Sequence, residues 1–408
     1  MKTFLQPLQN LAEMEEIQKQ AKKNRGILEI SGCMESQKAH LMYGLSGLFP
    51  CHLVIAADEK SAKELYEDYR FYDKRVYYYP AKDLLFFQAD IHGNLLIRQR
   101  MQVIRALLER EDEITVVTSI DGCMDYLAPL EKIEKQLIHF RNDSTLDMDK
   151  LTAALVHMGY ERVGQVEMPG QFSIRGGIID IYSLTEENPW RIELWGDEID
   201  SIRSFDAQSQ RSLENLDDVT IYPAAEQPME KNGVSFLDYF KETETLFFLD
   251  ELNHLEENAK AVQEEFQQSC ENRKEKGEIS LSGDWMCTWE ELCHKINDRN
   301  CVAMSLLDPK KSNWKISGQF NITVKSMSSY QSSFELLVKD LKQYKKEGYQ
   351  IVLLSGSRTR AERLAKDLQE EGLNAFYGQD SDRILQPGEI MVAYGHARRG
   401  FEYPLVKF

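Results

Sequence analysis

The sequence predicts an α/β protein in which two α/β units, the first holding the remains of a phosphate-binding loop, flank an inserted small α+β domain and are followed by a further small α/β unit. Three observations carry this. Short apolar runs alternate with helical stretches over residues 1–128, the pattern of a parallel sheet with helices on both faces. A block of short alternating strands, broken by Pro169–Gly170, Gly176–Gly177, Asn188–Pro189 and Gly196–Asp197, then interrupts that rhythm over 163–205. Strand–helix alternation resumes with TLFFLDE (245–251) and GYQIVLLSGS (348–357).

Residues 1–25 read as an amphipathic, partly charged helix, and GILEI (26–30) as a strand ending in a small-residue loop. Helical spacing over 36–48, the strand HLVIAA (52–57), a helix over 59–71 and RVYYYP (75–80) continue the unit. In NLLIRQRMQVIRALLE (94–109), Leu95, Ile97, Met101, Ile104 and Leu108 fall near one helix face, before the strand ITVVTS (114–119). A small α+β domain is expected over 129–213, with a helix at 147–159 and the strands FSIRG, GIIDIYS, WRIELWG and EIDSIRSF. A second α/β unit is expected over 214–325, including a long charged helix, EENAKAVQEEFQQSCENRKEKG. The last unit, 326–408, stops at PLVKF inside an apolar run, as expected of a piece of a longer protein.

Composition excludes several function classes. The 408 residues are 42% hydrophobic and 28% charged, so sizeable cores are expected. A net charge of −18 disfavours general binding to the phosphate backbone, which needs clustered Lys and Arg. Seven cysteines show no C-x-x-C spacing, and eight histidines show no ligand spacing, so neither disulfides nor zinc are expected. No apolar run is long enough to span a bilayer and the N-terminus lacks a signal-peptide core, which places the protein in the cytoplasm.

After the first strand the loop reads Gly32-Cys33-Met34-Glu35-Ser36-Gln37-Lys38-Ala39. A working phosphate loop needs G-x-x-x-x-G-K-S/T. Gly32 and Lys38 hold the outer positions. Gln37 replaces the second glycine, Ala39 lacks the hydroxyl that would hold Mg²⁺, and Glu35 adds a negative charge facing the phosphate position. At an intermediate dielectric such a charge opposes phosphate by ~4 kcal/mol at 4 Å. Asp250–Glu251, closing an apolar strand, has the layout of the acids that order Mg²⁺ and water, with His254 nearby. The bland alternative is a surface lysine and two acids capping a loop.

The segment GQFSIRGGIIDIYSLTEENPWRIELWGDEIDSIRSFDAQSQRS (170–212) resembles the domain shared by two bacterial repair families, the excision-nuclease B subunit and the transcription-repair coupling factor. The shared pattern is a G-x-F-x-x-R-G strand, a D-I-F-P-like turn, an R-I-E-F-F-G-D-E-I hairpin and a closing F-D-x-x-x-Q-R-S. The chain departs at Tyr182–Ser183 and Leu194–Trp195. YYYPAKDLLFFQADIHGNLLIRQRMQVIRALL (77–108), VVTSIDGCMDYLAP (116–129) and GFEYPLVKF (400–408) resemble the coupling factor rather than the nuclease subunit; 214–325 is similar only loosely.

The resemblance implies helicase-like α/β units and an inserted domain that docks the excision-nuclease A subunit (UvrA). Carried over by motif, the strand arginine is Arg175, the hairpin arginine Arg191 and the second aromatic Trp195. Strand alternation agrees. Phe172, Ile174, Trp190, Ile192 and Leu194 share one face, whereas Ser173, Arg175, Arg191, Glu193 and Trp195 share the other. Truncating the three residues is therefore expected to leave the core packed; the alternative has Arg191 paired with Glu193 and Trp195 covering a sheet edge. The resemblance further implies no cofactor and no catalysis in this region. ATP, Mg²⁺, RNA polymerase and duplex DNA would be handled by motor and polymerase-binding regions outside it. The rival reading is a nuclease-B-like DNA-binding ATPase, which needs an intact phosphate loop and a DNA-clamping hairpin that 80–98 is too short to hold.

Other features take structural readings. Asp197, Glu198 and Asp200 fall on a turn and polar face. Ser355–Gly356–Ser357 suits a helix N-cap. Arg358, Arg360, Arg398 and Arg399 are expected to be surface groups in salt bridges.

Overall fold

The computed structural model describes residues 2–23, 25–82, 94–226, 233–276, 286–307, 314–327, 330, 333–378 and 382–408. Most of 80–98, where the rival reading looks for a hairpin, and part of the 77–108 resemblance lie outside the described residues.

The strands β1 (Gly26–Ser31), β2 (Cys51–Ala56), β3 (Val76–Tyr79) and β4 (Ile114–Ser119) come from the first segment. They join the later strands Thr245–Asp250, Asn300–Ser305 and Ile316–Asn321 in one seven-stranded parallel sheet. The segments expected to be two α/β units therefore share a single sheet. Thr245–Asp250 lies beside β2, Asn300–Ser305 lies between it and β1, and Ile316–Asn321 borders β1 on the outside. Every residue of β1, β4 and Thr245–Asp250 is buried, because helices cover both faces. Alternation divides the side chains. Leu53, Ile55, Val116, Phe247 and Leu249 enter one core with the helices α5 (Asn94–Leu108), Leu252–Glu275 and Trp289–Asn297. Leu28, Ile30, Val54, Phe248 and Val302 enter the other, with the helices α2 (Met14–Lys23), α3 (Glu35–Leu45) and α4 (Glu59–Tyr69).

Two helices, α1 (Lys2–Gln9) and α2, replace the single one expected over 1–25. On α5, Leu95 is 68% exposed, although spacing put it on the apolar face. The helix buries Arg100 completely instead. Its guanidinium donates to the Pro80 carbonyl at 2.9 Å and the Asp125 carboxylate at 3.0 Å, and it pairs with Glu226 where the chain leaves the inserted domain. A buried charge of this kind is tolerable because each guanidinium nitrogen finds an acceptor and two carboxylates match the charge.

The inserted domain is a six-stranded sheet backed by helix Met148–His157. Its strands are Glu161–Arg162, Gln171–Arg175, Ile178–Ile181, Trp190–Trp195, Glu198–Phe205 and Ser212–Leu216, in that spatial order. The strand Asp218–Ile221 then pairs antiparallel with Ile138–Arg141, so the chain leaves this domain past 221 rather than at 213. The antiparallel pairing closes the entry and exit of the insertion against each other. In the last unit a three-stranded sheet, Ile351–Ser355, Ile390–Tyr394 and Ala375–Tyr377, packs one face on the helices Phe334–Glu347 and Arg358–Glu370. Its other face meets Phe4 of α1. No helix among the described residues is long and apolar enough to cross a membrane.

The sheet also buries a titratable group. His52 on β2 is 2% exposed, with Nδ1 3.2 Å from Thr115 Oγ1 on β4. Burial pushes its imidazole down to about 4. An unfolded histidine takes up its proton near pH ~6.5. The folded chain thus binds fewer protons than the unfolded one from about pH 6.5 to about 4, and stability falls as pH is lowered through that window, by up to ~1.4 kcal/mol per pH unit. Asp121, whose carboxyl burial raises to about 6, acts in the opposite sense over part of it. The informative comparison is between variants: His52→Gln is expected to lose less stability than the wild type between neutral pH and about pH 5, read from urea denaturation midpoints. Equal losses would remove His52 as a source of acid sensitivity.

Candidate functional site

Two places hold the sequence-predicted site residues, one at the altered phosphate loop and one on the inserted sheet. The loop follows β1. Gly32 has φ +80°, a left-handed conformation, and a side chain there would run into the Ile322 carbonyl. Helix α3 begins at Glu35. Gln37 is fully buried; its Oε1 accepts from the Met34 amide at 3.1 Å and its Nε2 donates to Tyr403 Oη at 3.1 Å. Ala39 lies in the core among apolar side chains. Glu35, expected to face the phosphate position, pairs instead with Arg399 at 2.9 Å.

Lys38 is not a surface lysine. It is 6% exposed, and its ammonium donates to Asp250 Oδ1 and Glu251 Oε1, each at 2.6 Å. Both acids therefore do more than cap a loop. Glu251 holds φ +54°, uncommon for a residue with a Cβ, and its Oε1 also accepts from the Leu306 amide at 2.9 Å. The strands ending in this loop and in Asp250 are separated by one strand of the parallel sheet, which brings lysine and acids to the same edge. Loop, lysine and acids meet, as in a nucleotide site, but the lysine charge is already matched by carboxylates. Among the described residues no group of three or more His, Cys, Asp or Glu side chains could hold a metal ion.

On the inserted sheet, the register sets the polar face as cross-strand rows. Ser173, Asp180, Arg191, Arg203 and Asn215 form one row, and Arg175, Ile178, Glu193 and Ser201 form the next. Trp195 stands beyond the second row, opposite Glu198, and is 83% exposed. Asp180, which sequence reasoning passed over, organises the face. It is 1% exposed and takes Arg175 at 2.6 Å and Arg191 at 2.7 and 2.9 Å. Alternation alone could have found it, since it sits directly opposite Arg191. Arg191 also donates to Gln210 Oε1 at 3.0 Å and lies over the Phe205 ring at 4.4 Å. Two arginines facing each other across strands would repel. Here Arg191 turns to Asp180 and Arg203 to Glu193, so the Arg191–Glu193 pair of the alternative reading does not form.

The three candidates share a face but differ in what they are free to do. The Arg175 side chain is 46% exposed, and that of Arg191 only 14%. The expectation that Arg191 can be truncated without consequence is therefore corrected: its removal takes away one of two countercharges of a buried carboxylate. The supposed core set is also graded, with Phe172 and Ile192 fully buried but Ile174 and Leu194 half-buried. Asp197, Glu198 and Asp200 are exposed, and Ser357 caps its helix by accepting from the Arg360 amide.

Residues 138–226 match the family described as the UvrB interaction domain. Over 93% of its length the chain is 29% identical to a transcription-repair-coupling factor of Bacillus subtilis, covering 38% of that protein. It is 25% identical over 81% of its length to the transcription-repair-coupling factor of Staphylococcus haemolyticus, and 24% over 82% to that of Staphylococcus epidermidis, covering 33% of each. The chain is thus similar over 138–226 to the UvrB interaction domain, and over most of its length to transcription-repair-coupling factors. It spans about a third of the length of these relatives.

Two outcomes are expected at the loop. Calorimetric titration with Mg-ATP should give no binding heat up to roughly millimolar nucleotide, because a free lysine, a second glycine and a hydroxyl are lacking; saturable micromolar binding would overturn this. Lys38→Met should cost about 3–5 kcal/mol of stability, since it leaves buried carboxylates unpaired, and adding Asp250→Asn should recover part of the loss. Denaturation of the single and double variants measures both.

Proposed function

We propose that this chain is the adaptor module of a transcription-repair-coupling factor, and that its inserted domain recruits UvrA through Arg175, Arg191 and Trp195. The observation that carries the reading is a tryptophan 83% exposed on the same sheet face as two arginines oriented by one buried carboxylate, within the residues that match the UvrB interaction domain. A large aromatic and planar guanidinium groups on a rigid sheet are the composition of interface anchors. In the whole protein this module would be joined to an RNA-polymerase-binding region and an ATP-driven DNA translocase. Stalled polymerase would be displaced while the damage-recognition machinery is brought in. The module itself works without cofactor or catalysis on this reading, and the net charge of −18 supports recruitment of protein rather than DNA.

The test is affinity for purified UvrA, with a thermal melt for each variant. Trp195→Ala and Arg175→Ala should each weaken binding about tenfold or more with little change in melting. Arg191→Ala should lower both binding and stability, and Arg191→Lys should also weaken binding because lysine cannot form the fork. Wild-type affinity in both Trp195→Ala and Arg175→Ala would remove the proposed face. Tight, steeply salt-dependent binding of duplex DNA in a gel shift would instead favour a DNA-binding, nuclease-B-like role.

A further inference from the structure

The altered phosphate loop makes a series of contacts that no nucleotide site would make. Glu35 pairs with Arg399 Nε at 2.9 Å, and Ser36 Oγ accepts from the Arg399 amide at 3.1 Å. Gln37 Nε2 donates to Tyr403 Oη at 3.1 Å, and His40 Nδ1 lies 2.9 Å from the same hydroxyl. Beside them on α4, Asp68, 3% exposed, accepts from the Arg398 amide at 3.3 Å and from its guanidinium at 3.1 Å. Everything on the far side of these contacts belongs to one stretch, 398–403, which follows the three-stranded sheet of the last unit.

The buried part of this contact assigns its own protons. His40 Nε2 is 2.5 Å from the Phe4 carbonyl, which can only accept, so Nε2 carries the hydrogen. Nδ1 must then accept from the Tyr403 hydroxyl. The hydroxyl oxygen is left to accept from Gln37 Nε2, while Gln37 Oε1 accepts from the Met34 amide. Tyr403, His40 and Gln37 are each 1% exposed or less, and the chain of bonds from Met34 to Phe4 leaves none of these atoms unpaired. Phe401, Tyr403 and Phe408 surround the His40 ring at 5.4, 5.7 and 6.5 Å between centroids. A glycine at 37, which phosphate binding requires, has no side-chain amide to give to Tyr403.

We propose that the altered loop is an intrachain docking site whose ligand is segment 398–408, and that it thereby seats the last unit on the main sheet. Of the three residues that set this loop apart from a working phosphate loop, Glu35 and Gln37 hold this segment, and Ala39 packs in the core. The site also gathers the start of the chain. Thr3 and Gln6 of α1 bond the Arg383 and Leu385 carbonyls at 2.5 and 3.0 Å, so α1 is gripped by His40 on one side and by the last unit on the other. This role is independent of UvrA recruitment and would stand if that reading failed.

The test is hydrogen–deuterium exchange over the whole chain, comparing the wild type with Gln37→Gly and Tyr403→Phe. The second variant keeps the ring in its pocket and removes only the hydroxyl that links Gln37 to His40, so it is informative even if Gln37→Gly does not fold. In each variant, peptides covering 398–408 and 2–9 should exchange about tenfold faster, because a buried donor or acceptor is left unpaired and the segment opens locally. Peptides covering β2 and β4 should keep their protection. Unchanged exchange at 398–408 in Tyr403→Phe would overturn the proposal. So would a rise of equal size across the main-sheet strands, since that reports general destabilisation rather than release of a docked segment.

Discussion

The pairing of Thr245–Asp250 with β2 places a strand from beyond the insertion in the middle of a sheet begun before it. Everything else is arranged around that continuity. The insertion must leave and return at nearly one point, and its first and last strands, Ile138–Arg141 and Asp218–Ile221, pair with each other. The same parallel register brings the end of β1 and the end of Thr245–Asp250 to one edge, where Lys38 meets Asp250 and Glu251. A sheet buried on both faces tolerates no unpaired strand at its centre, so these placements come as a set.

Charges buried against this frame share one arrangement. Lys38 is held by two acids, Arg100 by Asp125 and Glu226, and Asp180 by Arg175 and Arg191. Each joins elements distant in sequence or fixes side chains across strands. Such clusters are weak sources of net stability but costly to break on one side, so they favour one geometry over its alternatives. Around Asp180 the geometry holds two guanidinium groups in fixed orientations on the sheet face that also carries the exposed Trp195. Side chains ordered in this way lose less entropy if a partner binds them.

The altered loop illustrates how a site can change occupant without changing shape. The strand, the glycine turn and the following helix are in place, and Lys38 still points to acids at the next strand end but one. Yet Gln37 and His40 turn to Tyr403, and Glu35 turns to Arg399. The polar groups of the loop are satisfied within the chain itself.

Much of this was legible in the residues. The apolar runs located β1 to β4 and Thr245–Asp250, because a strand buried on both faces must be largely apolar, but Asn300–Ser305 and Ile316–Asn321 were not located. Alternation in WRIELWG correctly put Arg191 and Trp195 opposite Ile192, because strand side chains have a period of two. The order of strands was not legible: β1, Asn300–Ser305 and Thr245–Asp250 are adjacent through pairings between backbones, which side-chain patterns do not encode. Nor were the partners of charged groups. The sequence left Lys38 readable as a surface lysine and made Arg191 a free anchor, whereas Lys38 is held by Asp250 and Glu251 and Arg191 by Asp180 on the neighbouring strand. The sequence by itself determined most of the buried strands and which face of the inserted sheet is polar, since these follow from local sterics and periodicity. Which charges are buried, which are paired and which remain free to meet a partner was decided only when distant segments came within a few ångströms of one another, because Coulomb and hydrogen-bond energies depend on those distances.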